Sequence, residues 1–463
     1  MSVRLPDEGI APASFPYEAA LPADAGAAVG IVRKLVAAGH QALLAGGCVR
    51  DLLRGEAPHD YDVATDAPAE RVLTLFRRTR QVGVQFGVVL VKQRGRWVEV
   101  ATFRSDDVYL DGRRPMSVRP TDARHDALRR DFTVNGMFLD PLARQVLDYV
   151  GGRADLEARL IRAIGEPAAR FAEDHLRLLR AVRFAARLDF AIEPATRAAI
   201  ETHAEKLARV APERVREELE RMLGHASRQR AWRLLAETGL LPYLWPGEGA
   251  AGRGVDARAS TGAGPSVAAG FGRAGSSYTW NAAEIQTVDV FLGRLPADAP
   301  FELALAVVLA SRPAAEIERI ARALTLSNEQ RETVLWLVAH QADLDEPERP
   351  ALAALKRLMA NPAFPLLRTL AAARYESLGA TERRKAALDA RVAAIAPEAV
   401  QPAPLVTGDD LIARGVPAGP VYGAVLEELY TRQLDEELTT RAAGLAALDD
   451  LLRERQASPE RQR

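Results

Sequence analysis

The sequence predicts an α/β N-terminal domain, a small mixed sheet with flanking helices, followed by an all-α remainder. Valine-rich runs with the two-residue period of strands are confined to the first 150 residues, in "VGVQFGVVLVKQ" and "RWVEVATF". After Gly165 the apolar positions recur at i, i+3, i+4 and i+7, as in "AEDHLRLLRAVRFAARL" and "APERVREELERMLG". Nothing beyond that point reads as a strand.

Taken in order, "AAVGIVRKLVAAG" predicts a helix ending at Gly39, and "QALLAGG" a buried strand entering a glycine turn. "YDVAT" alternates as a strand does, and "AERVLTLFRRT" reads as a helix. The two valine runs are joined by "RGR", a hairpin turn, and "QVLDYV" supplies one more strand. This bounds a mixed domain over 27–150. A helical region over 151–240 follows, then a Gly-, Ala- and Ser-rich insertion over 241–280 whose aperiodic heart is 247–277. Helices resume over 281–455 in "FELALAVVLA", "AAEIERIARAL" and "NEQRETVLWLVAHQ". A helix–loop–helix there is punctuated by Gly415, Pro417 and Gly419.

The 463 residues suffice for several domains at roughly 100–200 residues each. With 61 basic and 62 acidic residues the net charge is −1, so no bulk field announces a partner, although a local basic surface is compatible with that total. The basic residues are nearly all arginine, which suits bidentate contacts with phosphate; a GC-rich genome produces the same bias. One cysteine, Cys48, excludes an intrachain disulfide or a thiolate zinc site, and it is expected to pack as a small apolar group. The first 25 residues lack a continuous apolar run, and no stretch approaches 18 apolar residues. A cytoplasmic protein is expected.

The chemistry begins at "GGCVRDLLRGEAPHDYDV". Residues i and i+2 of a strand point to one face, so Asp60 and Asp62 are expected to project together. Their repulsion is relieved by a divalent cation, and oxygen ligands that leave room for water and phosphate suit Mg²⁺. Glu99, in "WVEVATF", offers a third carboxylate from a neighbouring strand. Asp-x-Asp alone equally describes two residues capping the turn after Pro58. The glycine turn Gly46–Gly47 at a helix start, with Arg50 just beyond, adds phosphate-binding groups. Strand, glycine turn, helix and Asp-x-Asp together describe a nucleotidyltransferase head.

In this order, "LLAGGCVRDLLRGEAPHDYDVAT", "VEVATFR", "RRDFTVNGM", "DYVGGRADL", "EDHLRLLRAVRFAARL" and "ERVREEL" resemble the class II CCA-adding tRNA nucleotidyltransferases and the related bacterial poly(A) polymerases. The resemblance covers roughly 30–225; "LTLSNEQRETV" and "LVTGDDLIARGVPAGP" resemble the helical body and tail of these enzymes less specifically. It implies a nucleotidyltransferase head followed by an all-α neck, body and tail. It also implies Mg²⁺ on Asp60 and Asp62, and the incoming triphosphate at Gly46, Gly47 and Arg50. Arg130, Asp131 and Asn135 fall in the stretch that recognises the nucleotide sugar and phosphate. Asp174 and Arg177, with Arg180 and Arg183 on the same run, fall where the family reads the base.

Asp174 and Arg177 are three apart on the expected helix, so their side chains are neighbours on one face, an ordinary intrahelical ion pair outside this context. The family reading has independent chemical support. Carboxylates accept and guanidinium groups donate; cytosine and adenine pair an amino donor with an unprotonated ring nitrogen, whereas uracil and guanine present a carbonyl beside an N–H. An Asp/Arg pair therefore accepts C and A and leaves unpaired groups against U and G.

"SDDVYLDGRRPMSVRPTDARHDAL", with Arg113, Arg114 and Pro115, resembles the full-length flexible loop with which CCA-adding and A-adding enzymes switch towards ATP. Related poly(A) polymerases carry a "GHH"-like stretch where this chain has "SDD", which weighs against that reading. His125 and His175 are expected to be ordinary surface or packing histidines, and no His-Asp phosphohydrolase signature is present. "DYVGGRADL" resembles a hinge, with Gly151 and Gly152 as its flexible positions. The expected activity is addition of C and A to the 3′ end of tRNA from CTP and ATP, with tRNA held by its acceptor and TΨC arms. An A-adding enzyme, a poly(A) polymerase and a non-catalytic RNA-binding module are the alternatives, and the oligomeric state is open.

Overall fold

The computed structural model describes residues 12–81, 87–106, 118–245, 280–416 and 419–457. Arg113, Arg114 and Pro115 of the expected flexible loop, Pro417, and the aperiodic 247–277 segment lie outside the described residues. Two compact units are present, Met1–Ile285 with Arg322–Thr325, and Gln286–Ala321 with Leu326–Arg463.

The first unit is built on an eight-stranded mixed sheet. Its chain carries β1 (Ala13–Pro16), β2 (Ala42–Ala45), β3 (Asp62–Thr65), β4 (Thr79–Gln81), β5 (Val88–Gln93), β6 (Arg96–Thr102), β7 (Arg104–Asp106), β8 (Val118–Pro120), β9 (Phe138–Asp140) and β10 (Gln145–Asp148). The spatial order is β1-β10-β9-β2-β3-β6-β5-β4, with β7 and β8 forming a separate hairpin. All neighbours in the sheet are antiparallel except β3 and β6, which run parallel with Asp62 opposite Glu99. Helices α1 (Gly26–Ala37) and α3 (Ala69–Leu75) cover one face, α1 with Ile31, Val32 and Leu35. Beneath them lie Val63, Val89, Val91, Val98 and Val100, the alternate residues of β3, β5 and β6. Between β2 and β3 runs the short α2 (Gly47–Leu53).

The β5–β6 turn is the hairpin expected from "RGR": Arg94 and Gly95 both have positive φ, 48° and 82°, the handedness that a two-residue turn needs to match strand twist. The helix expected through Thr79 stops at Leu75, where Phe76 becomes extended and buried. The following arginine-rich residues then form β4 along the open edge of β5.

Four helices carry the chain out of the sheet: α4 (Ala123–Leu128), α5 (Gly152–Glu157), α6 (Pro167–Glu173) and α7 (Arg177–Leu188). Gly152, at the start of α5, touches the Thr133 carbonyl so closely that a Cβ would sit 2.3 Å from it. Close approach as well as the positive φ of Gly151, 77°, therefore explains "VGG".

The single helix expected across "AEDHLRLLRAVRFAARL" is two helices. Asp174 between them is extended (φ −145°, ψ 103°), and its Oδ1 accepts the backbone N–H of Leu176 at 3.1 Å, a local turn that competes with helix continuation. The expectation of no strand after Gly165 also gives way at one place. Residues β11 (Leu160–Ile161) and β12 (Ala191–Ile192) pair in parallel, a ladder too short to show a period. Helices α8 (Pro194–His203) and α9 (Pro212–Leu223) complete the part of this unit that bears on the site.

Described elements of the second unit are helical, among them Phe301–Leu309, Asn328–His340 and Pro420–Leu434. Asn328–His340 starts with a reciprocal capping box between Ser327 and Gln330, which satisfies two end groups at once. No helix among the described residues is long and apolar enough to cross a membrane.

Candidate active site

Asp62 and Glu99 project side by side from the parallel pair β3–β6, on the sheet face opposite α1 and α3. They line a cleft of about 510 Å³ together with Gly46, Gly47, Arg50, Arg130, Asp131, Asn135, Asp174, Arg177 and Arg180. Eleven of the predicted residues are thus brought to one cavity. Gly46 has a positive φ of 75°, and a Cβ there would stand 2.9 Å from Arg130 Nη1, so the turn admits a guanidinium against its backbone.

Asp60 departs from expectation. β3 begins at Asp62, where it pairs with Ala45 at the end of β2, so Asp60 belongs to the preceding turn and shares no strand face. Its side chain is 84% exposed, lies 2.9 Å from His59 Nδ1 and is not part of the cleft lining. Asp62 opens on the cleft mouth but is crowded by protein from below. That desolvation, then the like charge of Glu99, pushes its carboxyl up to about 6, against the pull of Arg130 and with a smaller push from Asp60. Burial also raises Glu99, with Arg104 opposing. Two adjacent carboxylates that both resist ionisation are a donor set fitted to a hard cation. No group of three His, Cys, Asp or Glu side chains poised for a metal occurs among the described residues, so water and phosphate would have to complete the shell.

The cations of "RRDFTVN" are fixed by a residue the sequence reading missed, Asp126. Its Oδ1 accepts from Arg129 Nε and Nη2 at 2.9 and 2.6 Å, and its Oδ2 from Arg130 Nε and Nη2 at 3.2 and 3.0 Å. The signal was the i, i+3 and i, i+4 spacing from Asp126 to the two arginines. Asn135 links the other groups: Arg50 Nη1 donates to its Oδ1 at 2.7 Å, Arg130 Nη1 to its carbonyl at 3.3 Å, and its own Nδ2 donates to Asp131.

Asp131 is an organiser rather than an open acceptor. Its Oδ1 takes the Phe132 and Asn135 N–H groups at 2.8 and 3.2 Å, and its Oδ2 takes Arg180 Nε and Nη2 at 2.9 and 2.6 Å. Those four donors occupy all four acceptor directions of a carboxylate. Burial would raise its pKa, but Arg180 and these hydrogen bonds overcome that and hold it at about 2. A depressed acid stabilises the fold above its ordinary value near 4 and loses that contribution as pH falls towards 2. Asp131→Asn is therefore expected to destabilise at pH 7 by on the order of 2 kcal/mol. In thermal melts the gap between variant and parent should close as pH drops below about 4.

Asp174 and Arg177 reach the cleft without pairing with each other. Arg214 Nη2 donates to Asp174 Oδ2 at 2.8 Å. Arg177 Nη1 donates to Glu173 at 2.6 Å and to the Arg170 carbonyl at 3.1 Å, and its Nη2 to the Arg129 carbonyl at 3.0 Å. Asp174, bonded besides to Leu176 N–H, keeps two of its four acceptor directions, and Arg177 two of its five donors. Arg183 is corrected: it is buried, donates through Nε to Glu218 at 2.5 Å and lies over the Phe184 ring, outside the cleft lining. Phe184, also missed, lines the cleft and carries Arg50 and Arg180 on its ring at 5.5 and 5.3 Å. Cys48 is buried below the turn, its thiol pushed up to about 11 chiefly by burial, as a packing residue requires.

Residues 42–162 match the family of the poly A polymerase head domain, and 189–248 the family described as "Probable RNA and SrmB- binding site of polymerase A". A CCA-adding enzyme of Geobacillus stearothermophilus is 44% identical over 218 residues, 47% of this chain and 54% of its own length. One from Levilactobacillus brevis is 41% identical over 214 residues, 46% and 54%. The chain spans about half the length of these curated relatives. Among solved structures, the Bacillus stearothermophilus CCA-adding enzyme in complex with CTP has a TM-score of 0.74 at 29% identity, covering 94% of this chain and 100% of that one. The Thermotoga maritima CCA-adding enzyme complexed with tRNA_CCA shares the fold, with a TM-score of 0.61 at 19% identity over 95% and 99%.

Proposed function

We propose that the chain is a nucleotidyltransferase that adds C and A to the 3′ end of tRNA from CTP and ATP, without a nucleic-acid template, a reading supported by the match of residues 42–162 to the poly A polymerase head domain family. The observation that carries this reading is that Asp174 and Arg177, with acceptor and donor positions still free, open on the same cleft as Asp62 and Glu99. The similarity to CCA-adding enzymes supports it.

In this mechanism the terminal ribose hydroxyl of the RNA attacks the α-phosphate. A new P–O bond forms, the bond to the β-phosphate bridge breaks, pyrophosphate leaves, and the hydroxyl proton passes to a cleft carboxylate or to water. Asp62, with Asp60 brought in from its turn, would hold Mg²⁺, which when bound supplies Lewis-acid activation of the hydroxyl and neutralises the leaving group. Gly46, Gly47 and Arg50 face the triphosphate, with Arg50 aimed by Asn135 and Asp51. Arg130 and Arg180 add positive charge around it, held in place by Asp126 and Asp131. Asp174 and Arg177 read the base edge. The roles assigned to 27–150 as head, 151–240 as neck and 281–455 as tRNA-binding body and tail follow the same reading. A cytoplasmic site of action goes with it.

The test incubates purified protein and Mg²⁺ with tRNAs ending before CCA, at C or at CC, and each labelled nucleoside triphosphate. Stepwise C, C, A addition is expected. Addition of A to the CC-ended tRNA alone would replace this reading by an A-adding enzyme, long A tails by a poly(A) polymerase, and no incorporation by a binding module.

A further inference from the structure

We infer that the sheet face beside the cleft, formed by β4, β5 and β6, is a platform for the unpaired 3′ strand of the RNA acceptor, with Trp97 stacking a base and Arg80 and Lys92 holding phosphates. The inference rests on the nucleotidyl-transfer reading of the neighbouring cleft.

Strand alternation divides this part of the sheet cleanly. Val89, Val91, Val98 and Val100 point into the core under α1 and α3. Arg80, Leu90, Lys92, Trp97 and Glu99 point the other way, where β4 pairs Arg80 with Leu90, and β5 pairs Leu90 with Glu99 and Lys92 with Trp97. Glu99 lines the cleft, so Trp97 stands on the same face, two residues or roughly 7 Å further along β6. A large aromatic there has no core to fill, and Trp97 is 38% exposed. The Arg80 guanidinium lies 4.5 Å from its ring centroid and the Lys92 ammonium 5.6 Å. Arg78, whose carbonyl accepts the Lys92 N–H, precedes Arg80 and is exposed.

Charge pairing distinguishes this patch from the neighbouring cleft, where Arg50, Arg130, Arg177 and Arg180 sit on carboxylates. Among the described residues, Arg78, Arg80 and Lys92 have no carboxylate within ion-pair distance, and the two cations nearest Trp97 contact only its ring. Cations without counter-charges around an exposed indole fit a flexible polyanion with flat bases: stacking is tolerant of sequence, and phosphates supply the missing negative charge. The patch adjoins the carboxylates that would meet the 3′ hydroxyl, which selects the single-stranded end of the RNA over its duplex part.

The experiment measures binding of the full chain to two RNA hairpins with the same acceptor-type duplex, one ending in an unpaired 3′ CC-tail and one blunt. Trp97→Ala is expected to weaken the tailed hairpin about tenfold, while the blunt one and the KM for CTP stay within twofold. Trp97→Phe should restore most of the affinity. Arg80→Gln with Lys92→Gln should flatten the log Kd against log salt slope for the tailed RNA by about 1.4, the value for two phosphates on a single strand. Equal weakening of both hairpins, or unchanged affinity and slope, would overturn the platform even if the parent protein extends tRNA normally. Failure of the parent to incorporate any nucleotide would instead count against the function of the cleft, and the binding data would still decide the platform.

Discussion

Asp62→Asn is expected to lower the rate of nucleotide incorporation by about a thousandfold, some 4 kcal/mol of transition-state stabilisation, while the melting temperature stays level or rises. The asymmetry follows from the environment of this carboxylate. Its side chain makes no hydrogen bond or ion pair among the described residues, and burial with the Glu99 charge already makes its ionisation less favourable than that of an ordinary carboxyl. Neutralising it therefore relieves repulsion in the resting fold and removes the negative charge on which a divalent ion and the reacting phosphate depend. Primer-extension rates at saturating CTP, paired with thermal melts, check both halves. A rate within tenfold of the parent would remove Asp62 from the chemistry. Parallel loss of rate and melting temperature would make its role structural. Asp60→Asn completes the comparison: a loss as deep as that of Asp62→Asn requires the exposed Asp60 carboxylate to move into the cleft from its place beside His59.

What the residues disclosed in advance, and what they did not, divides along physical lines. Long amphipathic helices and valine-rich strands announce themselves because their period repeats several times, as in α7, β5 and β6. Strands β1, β4 and β9 have three or four residues and take their conformation from neighbours that offer open ladder edges, so no local pattern reveals them. The chemical groups of the cleft were legible as residue types, because glycine turns, carboxylates and arginines at those spacings have few other joint uses. Their pairings were not. Arg183 finds Glu218, Asp174 finds Arg214 and Arg180 finds Asp131 across 35, 40 and 49 residues of chain. The break at Asp174 turns on one side chain capturing the Leu176 N–H, a choice between two local hydrogen bonds that helical periodicity cannot register.

That break sharpens the expected result for base selection. Had Asp174 and Arg177 shared one helical face, they would have neutralised each other and offered little to a ligand. Separated, each is steadied by other groups, Asp174 by Arg214 and Arg177 by Glu173 and two carbonyls, and each keeps hydrogen-bonding capacity on the cleft. A free acceptor beside a free donor matches the amino group and ring nitrogen of C and A, and opposes the carbonyl and N–H of U and G. Mismatch leaves both polar groups unpaired once the base covers them, so discrimination of at least a thousandfold is expected in the parent. Asp174→Ala with Arg177→Ala is expected to reduce the preference for CTP and ATP over UTP and GTP by about a hundredfold, or 2.7 kcal/mol. Most of the change should come from slower C and A incorporation, since the variant loses matched bonds and gains none for U or G. The check is kcat/KM for all four nucleotides on CC-less and CC-ended tRNA, with tRNA affinity measured alongside. Unchanged selectivity at reduced rate would assign the pair to holding α6 and α7 rather than to reading the base. Undiminished rate and selectivity together would place base recognition elsewhere in the cleft, at the main-chain and arginine groups around Asn135.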